Sequence, residues 1–135
     1  MEAALASPLL ALVGWSVVLL FVHVMLQGMT ATRELGSAWN AGPRDEGKRP
    51  AGALAGRAER ASTNFRETYP AFVALALALA IAGKGEGLGL AGAWTWFGFR
   101  IAYIPLYLAG IPYIRSLAWL GAAVGLMMMF VALVF

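Results

Sequence analysis

Five runs without a charged side chain fill most of this chain: Ala3–Thr32, Thr68–Gly83, Gly87–Phe99, Ile101–Ile114 and Ser116–Phe135. A membrane-crossing helix needs about 20 mostly apolar residues. The chain has 135 residues, is 61% hydrophobic, and holds only 10 Lys+Arg and 7 Asp+Glu. One soluble domain of that length cannot hide so much apolar surface. The runs read as four spans near 8–30, 57–83, 89–110 and 113–134, forming one all-α domain over 1–135, a four-transmembrane-helix bundle. Ser7-Pro8 suits a helix N-cap followed by proline in the first turn. The first span is not a cleaved leader by pattern. Glu2 is the only early charge, and the apolar run exceeds a signal-peptide core.

Two spans break the apolar rule, and they break it in register. Arg57, Arg60, Asn64 and Glu67 fall within roughly 80° of one helix face at 3.6 residues per turn. Arg100, Tyr103 and Tyr107 share a face within roughly 60° on the third span. Depth follows from the rise of about 1.5 Å per residue. Counted from Gly83, Glu67 lies roughly 24 Å in, Asn64 roughly 29 Å and Arg60 roughly 35 Å. Counted from Gly89, Arg100 lies roughly 16 Å in and Tyr107 roughly 27 Å. Arg115 and Ser116 open the fourth span at the same level. Two polar faces and a helix start therefore converge on one half of the bilayer, where polar side chains face partners, cavities or ligands. An arginine at the depth of Arg100 needs a partner, and Glu67 is the nearest carboxylate in depth. Pro105 removes a backbone donor within the third span and is expected to kink it.

The charge balance fixes orientation and excludes several functions. Arg33, Arg44, Lys48 and Arg49 lie in the loop 32–56, with Arg57, Arg60 and Arg115 close to the same side; only Lys84 stands opposite. The positive-inside bias then places both termini away from the cytoplasm. The cations flank spans and form no basic soluble face, which argues against nucleic acid. With no cysteine and one histidine, thiolate catalysis, disulfides and His-rich or Cys-based metal sites are not expected. The loop 32–56, rich in Gly, Pro and alternating charge, reads as an irregular exposed connector or as a lid over a cytoplasmic-side pocket.

The chemistry of the two faces is anion recognition. Arginines offer forked donors to carboxylates, Asn64 donates and accepts, and Glu67 can hold an ammonium group. A small zwitterionic ligand with several carboxylates, such as a peptide, fits that set. Arg115 at a helix N-terminus would stabilise a thiolate brought by the ligand. Other features have plainer readings. His23 and Gln27 suit an interhelical hydrogen bond. Gly121-x-x-x-Gly125 permits close helix packing. Met127–Met129 suits adaptable packing, and Trp94, Trp96 and Trp119 interfacial or packing roles.

The sequence RAERASTNFRE at 57–67, RIAYIPLY at 100–107 and IRS at 114–116 resembles the MAPEG proteins, the membrane-associated proteins of eicosanoid and glutathione metabolism. The NAGPRDE loop at 40–46 looks like a bacterial branch of that family. The resemblance covers nearly the whole chain. It implies a homotrimer in a bacterial inner membrane, with glutathione as co-substrate between subunits on the cytoplasmic side. It implies that Arg60, Asn64 and Glu67 contact glutathione from one helix, with Arg57 a turn further out. Arg100, Tyr103 and Tyr107 would contact it from the next helix. Arg115 would stabilise the thiolate, with Ser116 as a helper, and a lipophilic acceptor would arrive from the membrane lipids. Thr63 and Thr68 stand where the prostaglandin-forming and leukotriene-forming branches carry a basic residue and a tyrosine. These departures argue against the eicosanoid activities and leave glutathione conjugation and peroxide reduction open. A non-catalytic membrane scaffold retaining the same fold is the alternative, and a transporter is the weakest of the three readings.

Overall fold

The computed structural model describes residues 7–135. Glu2 lies outside the described residues. Five helices follow in order: α1 Pro8–Leu35, α2 Ser37–Ala41, α3 Ala53–Ile81, α4 Leu88–Leu108 and α5 Ile114–Val134. The four long helices overlap the stretches 8–30, 57–83, 89–110 and 113–134, with α1 running five residues further and α3 starting four residues earlier. The short α2 corrects the expectation of an irregular loop, since one helical turn forms inside it. At the start of α1, the Ser7 side chain accepts the Leu9 N–H at 3.2 Å, with proline in the first turn, as the sequence predicts. Pro70 and Pro105 both sit inside helices that continue through them.

Among the described residues, two helices are long and apolar enough by themselves to cross a membrane: α1 and α5. Their outward faces carry large apolar side chains, including Trp15, Phe21, Met25 and Met29 on α1 and Leu117, Leu120 and Met127 on α5. Apolar patches of this extent belong against lipid or another apolar surface. The first half of α3 differs, because Arg57, Glu59, Arg60, Arg66 and Glu67 interrupt it.

An aromatic stack pins α3 to α4. Phe72 lies flat on Trp96 with centroids 3.8 Å apart and planes at 9°; Phe65 and Tyr69 flank the same indole at 5.8 and 6.2 Å. Phe65, Phe72 and Trp96 are completely buried. Trp96 is thus a packing residue, whereas Trp94 and Trp119 remain partly exposed. His23 from α1 stacks on Phe65 at 4.7 Å, and its Nε2 has no hydrogen-bond partner among the described residues. The interhelical hydrogen bond expected of His23 is therefore not made through Nε2; ring stacking takes its place. Tyr69 reaches α1 through its hydroxyl, 3.0 Å from Ser16 Oγ.

Helices α4 and α5 approach more closely than any side chain larger than glycine allows. A Cβ on Gly92 would lie 2.7 Å from the Gly125 carbonyl oxygen, and one on Gly125 would lie 2.6 Å from both the Gly92 carbonyl oxygen and the Trp96 nitrogen. A Cβ on Gly121 would meet the Phe99 ring at 2.7 Å. The Gly121-x-x-x-Gly125 pair therefore serves packing within the chain. The turn between these helices is tight. Gly110 at φ +71° ends α4 in a left-handed cap, with its N–H on the Tyr107 carbonyl at 3.0 Å and the Ile111 N–H on Leu106 at 3.2 Å. This turn sets Arg115 in the first turn of α5, beside the last turn of α4.

Candidate functional site

A cavity of about 560 Å3 opens between α3, α4 and the start of α5. It is lined by Arg49, Glu59, Arg60, Thr63, Asn64, Glu67, Tyr103, Tyr107 and Arg115. A larger groove of about 1210 Å3 runs along α1 from Val24 to Glu34, with Trp39 and Arg44 at its rim. Its lining is largely apolar, so the smaller cavity is the one equipped for ionic chemistry.

The polar residues form a continuous column. The Arg100 guanidinium lies over the Tyr103 ring at 4.4 Å and over Phe65 at 5.2 Å. Tyr103 packs on Tyr107 with centroids 5.3 Å apart. Tyr107 receives the Arg115 guanidinium on its face at 4.6 Å, while its hydroxyl accepts Arg60 Nε–H at 3.2 Å. One tyrosine thereby joins arginines from α3 and α5. Cation–ring contacts of this kind contribute about 0.5–2 kcal/mol each and hold flat guanidinium groups in fixed orientations.

Arg100 itself does not line the cavity. It is fully buried and donates from Nη1 to Asn64 Oδ1 at 2.8 Å. Its Nε and Nη2 have no partner among the described residues. The expected Arg100–Glu67 ion pair is absent. Among the described residues the one ion pair is Lys48–Glu46, at 2.9 Å. The physical reason is reach: the guanidinium turns inward between two rings and meets the half-buried Asn64, leaving Glu67 exposed on the cavity wall. The bond to Arg100 also fixes the polarity of Asn64. Arginine offers only donors, so Oδ1 must face it, and the amide NH2 is the group left for the cavity.

Seven sequence-predicted residues are therefore brought together. Arg60, Asn64, Glu67, Tyr103, Tyr107 and Arg115 line the cavity, and Arg100 stands directly behind it. Two lie elsewhere. Arg57 donates to the Leu108 carbonyl at 3.3 Å and so ties α3 to the C-terminal end of α4. Ser116 is exposed in the first turn of α5, outside the cavity lining.

Sequence reasoning missed Arg49, Glu59 and Thr63 as lining residues. Glu59, Thr63 and Glu67 form an i, i+4, i+8 row beside the stripe already identified, and that spacing could have found Glu59. No spacing reports Arg49, which is carried in by the connector before α3. Together the wall holds three guanidinium groups, two carboxylates, an amide donor and two phenols. It can grip an anionic, multiply functional small molecule at more than one end.

Among the described residues no cluster of His, Cys, Asp or Glu is arranged to hold a metal ion. No curated protein and no solved structure matched the chain. A family model did match, over residues 12–135, a range that includes every residue of the cavity wall. By that match the chain belongs to the MAPEG family.

Proposed function

We propose that this protein is a glutathione-dependent membrane transferase or peroxidase that activates the glutathione thiol for attack on a lipophilic electrophile or hydroperoxide. The single observation that carries the reading is the cavity wall, which brings together Arg49, Arg60 and Arg115, the carboxylates Glu59 and Glu67, and Asn64. Glutathione has two carboxylates, one ammonium and a thiol. Its carboxylates match the guanidinium groups, its ammonium matches a carboxylate, and its peptide carbonyls match the Asn64 donor. Membership of a family that includes glutathione transferases and peroxidases supports the same ligand.

Arg115 is the group assigned to the thiol. Its cation is held by the Tyr107 ring at 4.6 Å in the first turn of α5, where the helix dipole adds positive potential. A thiol beside it loses its proton more readily, and the thiolate is the nucleophile. In conjugation the thiolate forms a C–S bond and the acceptor releases its leaving group, or takes up a proton if it is an activated alkene. In peroxide reduction the thiolate attacks the distal oxygen, the O–O bond breaks, and an alcohol leaves after protonation. A second glutathione then condenses with the sulfenic acid to give disulfide and water. Ser116, next to Arg115 in the first turn of α5, is assigned as its helper.

The protein in this reading is a homotrimer of four-span protomers in a bacterial inner membrane, with both termini away from the cytoplasm. The acceptor arrives from the lipid along the apolar faces of the bundle. Thermal stability in detergent with and without millimolar glutathione is the first test, because a ligand of the folded state raises it. Ultraviolet absorbance of bound thiolate and turnover of a chlorinated aromatic acceptor are the second. Arg115→Ala should keep binding and lose both thiolate and turnover. Binding without either signal in the parent protein would favour a non-catalytic scaffold. No stabilisation at all would refute the ligand.

A further inference from the structure

The connector between α2 and α3 is anchored at both ends, and between the anchors it carries a guanidinium to the cavity. At the first anchor Arg44, at φ +61°, lies over the Trp39 ring at 4.3 Å and donates to Asn40 Oδ1 at 2.7 Å. At the second, the Glu34 carboxylate in the last turn of α1 accepts the Ala51 N–H at 2.6 Å and the Gly52 N–H. Gly52 is the N-cap of α3, and that helix has no side-chain cap of its own. Glu34 thus supplies from α1 acceptors for the backbone where the connector enters α3. A Cβ on Gly52 would collide with that carboxylate.

Arg49 stands two residues before this latch. It lines the cavity beside Arg60 and Arg115, yet it makes no hydrogen bond or ion pair within the described residues. Like charges gathered on one wall repel. Three guanidinium groups facing two carboxylates leave a net positive charge, which an anionic group of the ligand would neutralise. Arg49 is also the one cation of the wall that does not come from α3, α4 or α5.

We infer that Arg49 is a ligand-binding residue that closes on a carboxylate of the bound peptide, and that Glu34 is the positioning residue that holds it there through Ala51 and Gly52. This rests on the glutathione reading of the cavity. It assigns the connector a part in affinity: release of the latch withdraws Arg49 from the wall without touching Arg60, Asn64 or Arg115.

The test is calorimetric titration of the full-length protein in nanodiscs with glutathione. Arg49→Ala should raise Kd about tenfold, the loss of one charge-assisted carboxylate contact. Arg49→Lys should recover part of it. Glu34→Ala should also raise Kd, but added to Arg49→Ala it should change nothing further, because the latch acts only through that arginine. Glu34→Gln keeps a backbone acceptor and guards against a folding defect; it should fall between Glu34→Ala and the parent. An unchanged Kd in Arg49→Ala, while Arg60→Ala weakens binding, overturns the inference and leaves the glutathione reading standing. Equal losses from Glu34→Ala in both backgrounds overturn the latch. A parent protein that does not bind glutathione overturns both.

Discussion

Removing Asn64 should destabilise this protein more than removing the buried arginine it serves. Among the described residues the Arg100 guanidinium makes one hydrogen bond, to Asn64 Oδ1 at 2.8 Å, and its Nε and Nη2 are buried without partners. Asn64→Ala takes away that bond and leaves the charge in place. A hydrogen bond to a charged group is worth about 1.5–3 kcal/mol, and an orphaned buried charge adds to the loss. We expect about 3 kcal/mol. Arg100→Met removes the charge instead. It forfeits the contacts with Tyr103 and Phe65, roughly 1–2 kcal/mol together, but it relieves a desolvated cation with two unpaired donors, a penalty of several kcal/mol. The half-buried Asn64 amide can turn to the cavity. The net change should stay within about 1 kcal/mol. Reversible unfolding in mixed micelles, followed by helical circular dichroism, measures both. The double variant should be no less stable than Asn64→Ala alone, and close to Arg100→Met. Asn64→Asp keeps an acceptor for Arg100 and so should preserve stability, while losing the amide donor and with it glutathione affinity. The reasoning fails if Arg100→Met costs as much as Asn64→Ala or more.

Three further outcomes follow from the same geometry. Arg57→Ala should cost about 1 kcal/mol of stability, the worth of its bond to the Leu108 carbonyl, with glutathione Kd unchanged in calorimetry. Glu67→Gln should leave the unfolding midpoint where it is, since Glu67 does not pair with Arg100, and should weaken glutathione binding; a large loss of stability would restore the ion pair that the sequence suggests. Gly125→Val forces α4 and α5 apart at Gly92 and Trp96 and should cost about 2 kcal/mol or more, read as a lower unfolding midpoint. Adding Gly92→Ala should then cost less than it does alone, because the two glycines share one contact.

Much of the site was legible because helices convert spacing into position. Arg60, Asn64 and Glu67 share a stripe by periodicity, Tyr103 and Tyr107 share another, and depth counting placed both beside Arg115. The same arithmetic overreached at Arg57, whose face is right but which lies a turn away and ties down the end of α4 instead. It also paired Arg100 with the wrong residue. Depth alone cannot tell a carboxylate on the cavity wall from an amide turned inward, and the choice was made by the two rings that trap the guanidinium.

The sequence by itself determined that the chain is helical and apolar, which stretches hold its long helices, and which residue types stand on the polar faces. Those properties are local: they depend on runs, caps and a fixed rise per residue. Only the tertiary structure decided that Asn64 faces the cavity as a donor, that Gly125 meets Gly92, and that a loop arginine reaches the wall. Each depends on two segments distant in the chain meeting at one point, and no periodicity within either segment records that meeting.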